Sequence, residues 1–280
     1  MFSQRMETDN QPLISIITVT YNAQTALEET MQSVFLQTYP NIEYIIIDGK
    51  SQDGTLDIIK RYESQIATWL SEKDNGIYDA MNKGIRLAKG EIIGMINAGD
   101  YYEPEAVENI VNAFLKEKQA GIFHGNVNML NEDGSFFKLK KPNTDLNQLY
   151  KGISLFHPTF FVHKSIYEEK GLYDIVYKSS ADFDFALRNH LLGTPFYYLD
   201  TVIANFRLGG YSTVNKLNAN LESREILYKN GYSKEAVEPL FHKWQSDYMK
   251  KRFLDSGYNT LRKILPVGMV NKIASYIRIK

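Results

Sequence analysis

Three short apolar runs rich in β-branched residues, Ile14–Thr18, Ile42–Ile47 and Ile92–Ile96, constrain this chain most, because stretches of helical apolar spacing separate them. Runs that are apolar without alternation belong to strands buried on both faces, as in parallel sheets. Between the first two, Leu27, Met31, Val34 and Phe35 recur at helical spacing, with Asn22 or Thr25 as the cap. Between the second and third, Leu56, Ile59, Tyr62, Ile66 and Trp69 mark one helix. Ile77, Met81, Ile85 and Ala88 mark another, which Gly90 stops. Strands and helices alternating at these lengths pair in parallel through right-handed crossovers. Further on, Ile122–Leu130 and Ser135–Leu139 flank Asp133-Gly134, a two-residue hairpin signal. This predicts an antiparallel element inside or at the edge of the parallel sheet. From Lys216 onward the chain reads as helical and charged.

Composition narrows the class. With 280 residues, 44% of them hydrophobic, the chain suits one large domain and a small appendage. A net charge of -1 argues against a general nucleic-acid binder, which carries a basic excess. The absence of cysteine excludes disulfides and thiolate metal sites and accords with a reducing compartment. The opening residues, MFSQRMETDNQ, read as a polar lead-in without a signal-peptide core, and no apolar run reaches the roughly 18 residues of a membrane span. A cytoplasmic protein is expected.

The chemistry lies in acidic turns that follow the strands. Asp48 ends the second apolar run, where a carboxylate accepts hydrogen bonds from a base N–H or ribose hydroxyls. DGKSQDGT is equally good turn chemistry, so a purely structural aspartate is the alternative. Asp53-Gly54-Thr55 reads as a helix entry. Asp100, in NAGD, follows the third run, where one carboxylate with substrate phosphates and water suits Mg²⁺ or Mn²⁺. Asn97 adds a neutral oxygen there, and an ordinary surface-loop aspartate is the bland reading. In SADFDFALR, Asp182 and Asp184 precede an apolar run. One positioned carboxylate suffices as general base, while Asp182 as a helix cap and Asp184 in solvent is the alternative.

Together ISIITVTYN, YIIIDGKSQDGT, SEKDNGIYDAMNKGIRLAKGE, MINAGDYY and SADFDFALR, in this order and closed by RLGGYS (Arg207–Ser212), resemble the bacterial family 2 glycosyltransferases of polysaccharide-assembly type. The resemblance runs from Pro12 to Ser212. It implies an inverting enzyme of GT-A fold, a Rossmann-like, mostly parallel mixed sheet flanked by helices, with residues 213–280 as a helical extension. It also implies a nucleotide-sugar donor, by default a UDP-sugar, and a glycan or lipid-linked acceptor in surface polysaccharide synthesis. By the same resemblance Val19 and Tyr21 border the nucleotide base and Asp48 holds it. Asp74, Asp79, Asn82, Lys83 and Asn97 lie near the donor, with Lys83 on the diphosphate. Asp100 binds the divalent metal and Asp182 is the base. His157, in LFHPTFF, and Asp184 lie near the sugar or acceptor. For His157, a packed structural histidine is an equal alternative.

The chain departs from the family pattern in two places. Asn97 and Gly99 leave Asp100 as the one carboxylate of the metal turn, and Ala181 stands where an acidic neighbour of the base is frequent. The QxxRW motif and membrane helices of processive synthases are absent from the sequence, which favours transfer of one sugar per encounter. Two rival readings are a sugar nucleotidyltransferase, against which VTYNAQTALEE offers no glycine-rich phosphate loop, and a non-catalytic glycan- or nucleotide-binding protein. From Lys243 to Lys280 nine Lys or Arg stand against two Asp, with Val270, Ile273, Ala274 and Ile277 as an apolar stripe. That stripe either packs on protein, including a second subunit, or lies on an anionic membrane face near a lipid-linked acceptor.

Overall fold

The computed structural model describes residues 11–151, 155–210 and 215–246. The basic stripe beyond Lys243 and the Tyr211-Ser212 end of RLGGYS lie outside them. The chain divides into two units, Met1–Ile226 and Leu227–Lys280. The division falls inside helix α7 (Lys216–Lys229).

The first unit is built on β1 (Ile14–Thr20), α1 (Leu27–Phe35), β2 (Ile42–Asp48), α2 (Thr55–Arg61), β3 (Thr68–Ser71), α3 (Ile77–Leu87) and β4 (Ile92–Met95). β1 pairs in parallel with β2 and β4, and β2 with β3. Ile14, Ile16, Ile17, Ile45, Ile46 and Ile47 are fully buried, each stabilising the fold by about 1.5–3 kcal/mol through lost apolar surface. Successive strand residues point to opposite faces. Ile16 and Ile46 share a core with Met31 of α1, Ile59 of α2 and Val107 and Ile110 of α4 (Ala106–Lys116). Ile17 faces the other way, where Gly84 of α3 lies so close that an added Cβ would meet Ile17 Cγ2 at 2.5 Å. Helices therefore cover both faces, as the uninterrupted apolar runs require.

The sheet continues through β5 (Tyr101–Tyr102), β6 (Ile122–Leu130), β7 (Phe136–Lys140), β8 (Phe161–His163) and β9 (Phe196–Arg207), with α5 (Lys164–Lys170) and α6 (Ala181–Leu191). Its order is β3-β2-β1-β4-β8-β6-β9-β5, with β7 attached to β6. The arrangement is the mixed sheet of the GT-A fold, with β3-β2-β1-β4 as its parallel part. Two expectations need correction. The helix read through Ile66 and Trp69 ends at Arg61; a 3-10 turn at Glu63–Gln65 leads into edge strand β3. Apolar residues three and four apart had continued through that turn and disguised the strand. The β6–β7 hairpin closes at Asn131 and Ser135, around three residues rather than two, with Gly134 at φ 84; a type I turn followed by a left-handed residue gives that geometry.

His124 on β6 is 2% exposed, packs against Phe160, Phe196 and Tyr198, and has no partner for Nδ1. Burial pushes its pKa down to about 4. Its folded value lies below the unfolded one, so the native state binds fewer protons and loses stability as pH falls from about 6.5 to 4. Lowering the pH from 7 to 5 should cost the first unit about 2 kcal/mol through this group. Urea melts of wild type and His124→Leu at both pH values check it, since the variant should lack that increment.

Candidate functional site

The carboxyl ends of β1, β2, β3 and β4 share one edge of the sheet, where an open α/β sheet places its ligand site. At its first corner the loops after β1 and β2 are fastened together. Asn22 N donates to Ser51 Oγ at 2.8 Å and Gln52 N to Asn22 Oδ1 at 2.8 Å. Ala23 N donates to Thr55 Oγ1 at 2.8 Å. Asn22 and Lys50 hold φ of 48° and 66°, a conformation rarely adopted by non-glycine residues that here shapes the two loop tips.

Asp48 is fully buried. It accepts from Ser51 N at 3.0 Å, Ser51 Oγ at 2.5 Å and Ser71 Oγ at 2.6 Å. The turn role weighed in the sequence is thus present in full, and β2, its loop and β3 converge on this carboxylate. Beside it Tyr21 is 64% exposed, while Val19 is buried within β1. A Cβ on Gly49 would stand 3.3 Å from the Tyr21 ring and 2.5 Å from Asp74 Oδ2. Tyr21, Gly49 and Asp74 therefore form one contiguous patch.

The loop entering α3 is internally tied. Asp74 Oδ1 accepts from Gly76 N at 2.9 Å, and Asp79 Oδ2 accepts from Asn75 N at 2.9 Å. Lys83 pairs with Glu72 at 2.8 Å, lies 3.8 Å from Asp79, and donates to the Lys73 carbonyl. Asn82 lies within α3. It is buried and spends its amide on Tyr173, donating to the carbonyl at 2.8 Å and accepting from the N–H at 3.0 Å.

The NAGD turn is held from behind by Thr30, whose hydroxyl donates to the Asp100 carbonyl at 2.7 Å and accepts from Gly99 N at 2.9 Å. Gly99 sits at φ 104°, where a side chain would be strained. Asp100 is 6% exposed, and its Oδ1 accepts from Arg207 N at 2.9 Å. Oδ2 has no hydrogen-bond donor among the described residues. Burial raises the Asp100 pKa to about 7 against the pull of the Arg207 N–H and charge. Asn97 Oδ1 is buried and unpartnered. Two hard oxygens without donors, one anionic, fit a Mg²⁺ or Mn²⁺ that takes its remaining ligands from phosphate and water. Among the described residues no cluster of three or more His, Cys, Asp or Glu could hold a metal unaided.

Asp182 is the second residue of α6 and does not cap it. Its Oδ1 accepts from Tyr78 OH at 3.0 Å and from Phe183 N at 2.9 Å. It borders a cavity with His157, walled by the apolar Leu149, Leu155, Phe160 and Phe183. His157 is 8% exposed with Nε2 unpartnered. Burial lowers its pKa and the Asp182 charge opposes the shift, so it is neutral at pH 7. Asp184 faces elsewhere: it is buried and pairs with Arg188 at 3.5 Å. The solvated alternative does not describe it; it pairs with the Arg188 that binds the Leu172 carbonyl at 2.8 Å.

Three contributors escaped the sequence reading. Tyr78 was visible in the GIYDAMNKG stretch but carried no acid–base signal of its own. Arg207 looked like part of a closing motif rather than a neighbour of Asp100. Glu222 of α7 accepts from Lys178 N and Ser179 N, both at 2.8 Å, and so fixes the approach to α6; nothing local marks it.

The model of "Glycosyl transferase family 2" matches residues 15–169. A "PGL/p-HBAD biosynthesis glycosyltransferase" of Mycobacterium tuberculosis is 29% identical over 213 residues, covering 72% of this chain and 79% of the relative. An uncharacterized glycosyltransferase of Rickettsia prowazekii is 26% identical over 265 residues, covering 88% of this chain and 83% of its own. Among solved structures, S. aureus TarS 1–349 in complex with UDP-GlcNAc superposes with a TM-score of 0.63 at 18% identity, covering 77% of this chain and 64% of that one. The mannosyltransferase PcManGT of Pyrobaculum calidifontis, in complex with GDP-Man and Mn²⁺, gives a TM-score of 0.60 at 18% identity, covering 97% and 81%. Among the described residues no helix is long and apolar enough to cross a membrane.

Proposed function

Because this chain belongs to glycosyl transferase family 2, we propose that it moves one sugar per encounter from a nucleoside-diphospho-sugar, by default a UDP-sugar, to a hydroxyl of a glycan or lipid-linked acceptor, with inversion. The observation that carries this reading is the state of Asp182: a carboxylate with one oxygen saturated and Oδ2 without a donor among the described residues, at the edge of a cavity, tied through Tyr78 to α3 and the loop that bears Asp74.

Tyr21, Gly49 and Asp74 receive the base, with Asp48 bracing the strands beneath them. Asp100, with Asn97, would hold a divalent ion, which offsets negative charge on a departing diphosphate. Arg207, whose backbone binds Asp100 and whose guanidinium pairs with Glu29 at 2.6 Å, adds a fixed positive group beside it. The acceptor presents its hydroxyl toward Asp182, with His157 beside that carboxylate. Asp182 Oδ2 takes the hydroxyl proton while the oxygen attacks the anomeric carbon, the bond to the diphosphate breaks on the opposite face, and the nucleoside diphosphate leaves. Holding both substrates at one sheet edge supplies the proximity that a two-substrate transfer needs. The setting by this reading is surface polysaccharide synthesis on the inner side of the plasma membrane.

Thermal melts with UDP, GDP, CMP and dTDP, each with and without Mn²⁺, test the reading. A ligand at 100 times its Kd adds about 2.7 kcal/mol to the stability of the state it binds. One nucleoside diphosphate should produce a shift that requires the metal. If no nucleotide shifts the melt under either condition, the donor site is degenerate and a non-catalytic binding protein is the better description.

A further inference from the structure

We propose that Tyr78 is the positioning residue of the base: it holds Asp182 by Oδ1 so that Oδ2 alone is presented to the acceptor hydroxyl. The inference rests on the reading of Asp182 given above. The phenol donates to Oδ1 at 3.0 Å and Phe183 N donates to the same oxygen at 2.9 Å. Both lone pairs of Oδ1 are then occupied, and Oδ2 has no donor among the described residues. Two donors on one oxygen fix the plane of the carboxylate, so one oxygen is held and the other is presented.

The phenol is built for this task. Tyr78 is 7% exposed, and its ring lies 5.7 Å from that of Tyr173. Burial first, and then the Asp182 charge, raise its pKa well above the ordinary phenol value, which keeps its proton in place as the donor. The groups facing Asp182 are Tyr78 from α3, Tyr173 from the loop before α6, and His157 across the cavity. Of these, Tyr78 alone donates to it.

Placement gives the contact a second consequence. Tyr78 is the second residue of α3, two residues after Gly76 of the loop that sets Asp74 against Gly49. Asn82, one helical turn further, grips the Tyr173 backbone, and Lys178 Nζ donates to the Asn75 carbonyl at 2.9 Å. α3 with the loop before it, and α6 with the loop before it, are thus bound at three points. Tyr78 is the one of the three that ends on the reacting carboxylate.

A double-mutant cycle with Tyr78→Phe and Asp182→Asn, read as kcat, acceptor KM and nucleotide Kd, tests the proposal. Phenylalanine keeps the ring packing, and an unchanged nucleotide Kd and melting curve certify the fold. Tyr78→Phe should lower kcat about 10- to 100-fold, the worth of a hydrogen bond to a charged group that must be held in line. It should leave nucleotide Kd within about 2-fold, because no nucleotide contact is lost. In the Asp182→Asn background it should change kcat by less than about 2-fold, since the effect acts through the missing carboxylate. Additive losses in the cycle, or wild-type kcat in Tyr78→Phe, would overturn it. Wild-type turnover in Asp182→Asn alone would instead remove the base assignment and the proposal with it, a distinguishable failure.

Discussion

Asp182→Asn should lower kcat for sugar transfer by about 10²- to 10⁴-fold, the range that general base catalysis contributes. The amide has the shape of the carboxylate, and its carbonyl oxygen can still accept from Tyr78 and Phe183 N, so α6 keeps its place. What it lacks is an oxygen able to take a proton at neutral pH. Nucleotide affinity should be unchanged, because the proposed base patch at Tyr21, Gly49 and Asp74 is built from other loops. Steady-state rates with saturating donor, alongside titration of the nucleotide, make the test. A variant that loses kcat and nucleotide affinity together would indicate that Asp182 belongs to the donor site, and the mechanism would need another base.

Asp100→Asn should abolish the metal-dependent part of nucleotide binding and lower kcat by at least about 10²-fold, since a metal offsets several kcal/mol of developing charge. A second readout separates this from simple misfolding. Asp100 is buried and receives one backbone N–H, from Arg207. Without metal, burial holds its pKa at about 7, so above that pH it is an incompletely satisfied charge, and there the neutral amide should stabilise the metal-free protein by about 1–3 kcal/mol. The expected result is therefore a variant that melts higher than wild type in chelator and gains nothing from Mn²⁺ with nucleotide. A variant that melts lower in chelator would mean that the carboxylate is a structural anchor of the turn between β4 and β5.

The sequence by itself determined the centre of the molecule. Ile14–Thr20, Ile42–Asp48 and Ile92–Met95 are strands buried on both faces, and such strands write themselves as continuous apolar runs whatever surrounds them. Acidic turns after those runs followed from the same logic, which is why Asp48 and Asp100 could be singled out. Membership of the family, too, was legible from the order of the motifs. Elements that depend on partners were not legible. β3 looked helical because its short run, Thr68–Ser71, is half-buried and gains its strand character from pairing with β2. β9 was missed because Phe196–Arg207 shifts register against β6 around Gly125–Val127 and alternates poorly.

Tertiary structure alone decided how the acidic groups are used. Asp182 and Asp184 are two residues apart in the chain, and no local rule separates them. The helix turns one toward the cavity and Tyr78, and the other into a buried pair with Arg188. Tyr78 and Asp182 are 104 residues apart, as Asp100 and Arg207 are 107 apart. Contacts at such separations leave no periodicity or spacing to read, because each partner's local sequence satisfies its own helix or turn without the other. Hydrophobic pattern and turn chemistry set the scaffold and its acidic edge, while long-range hydrogen bonds chose which carboxylate oxygen stands free.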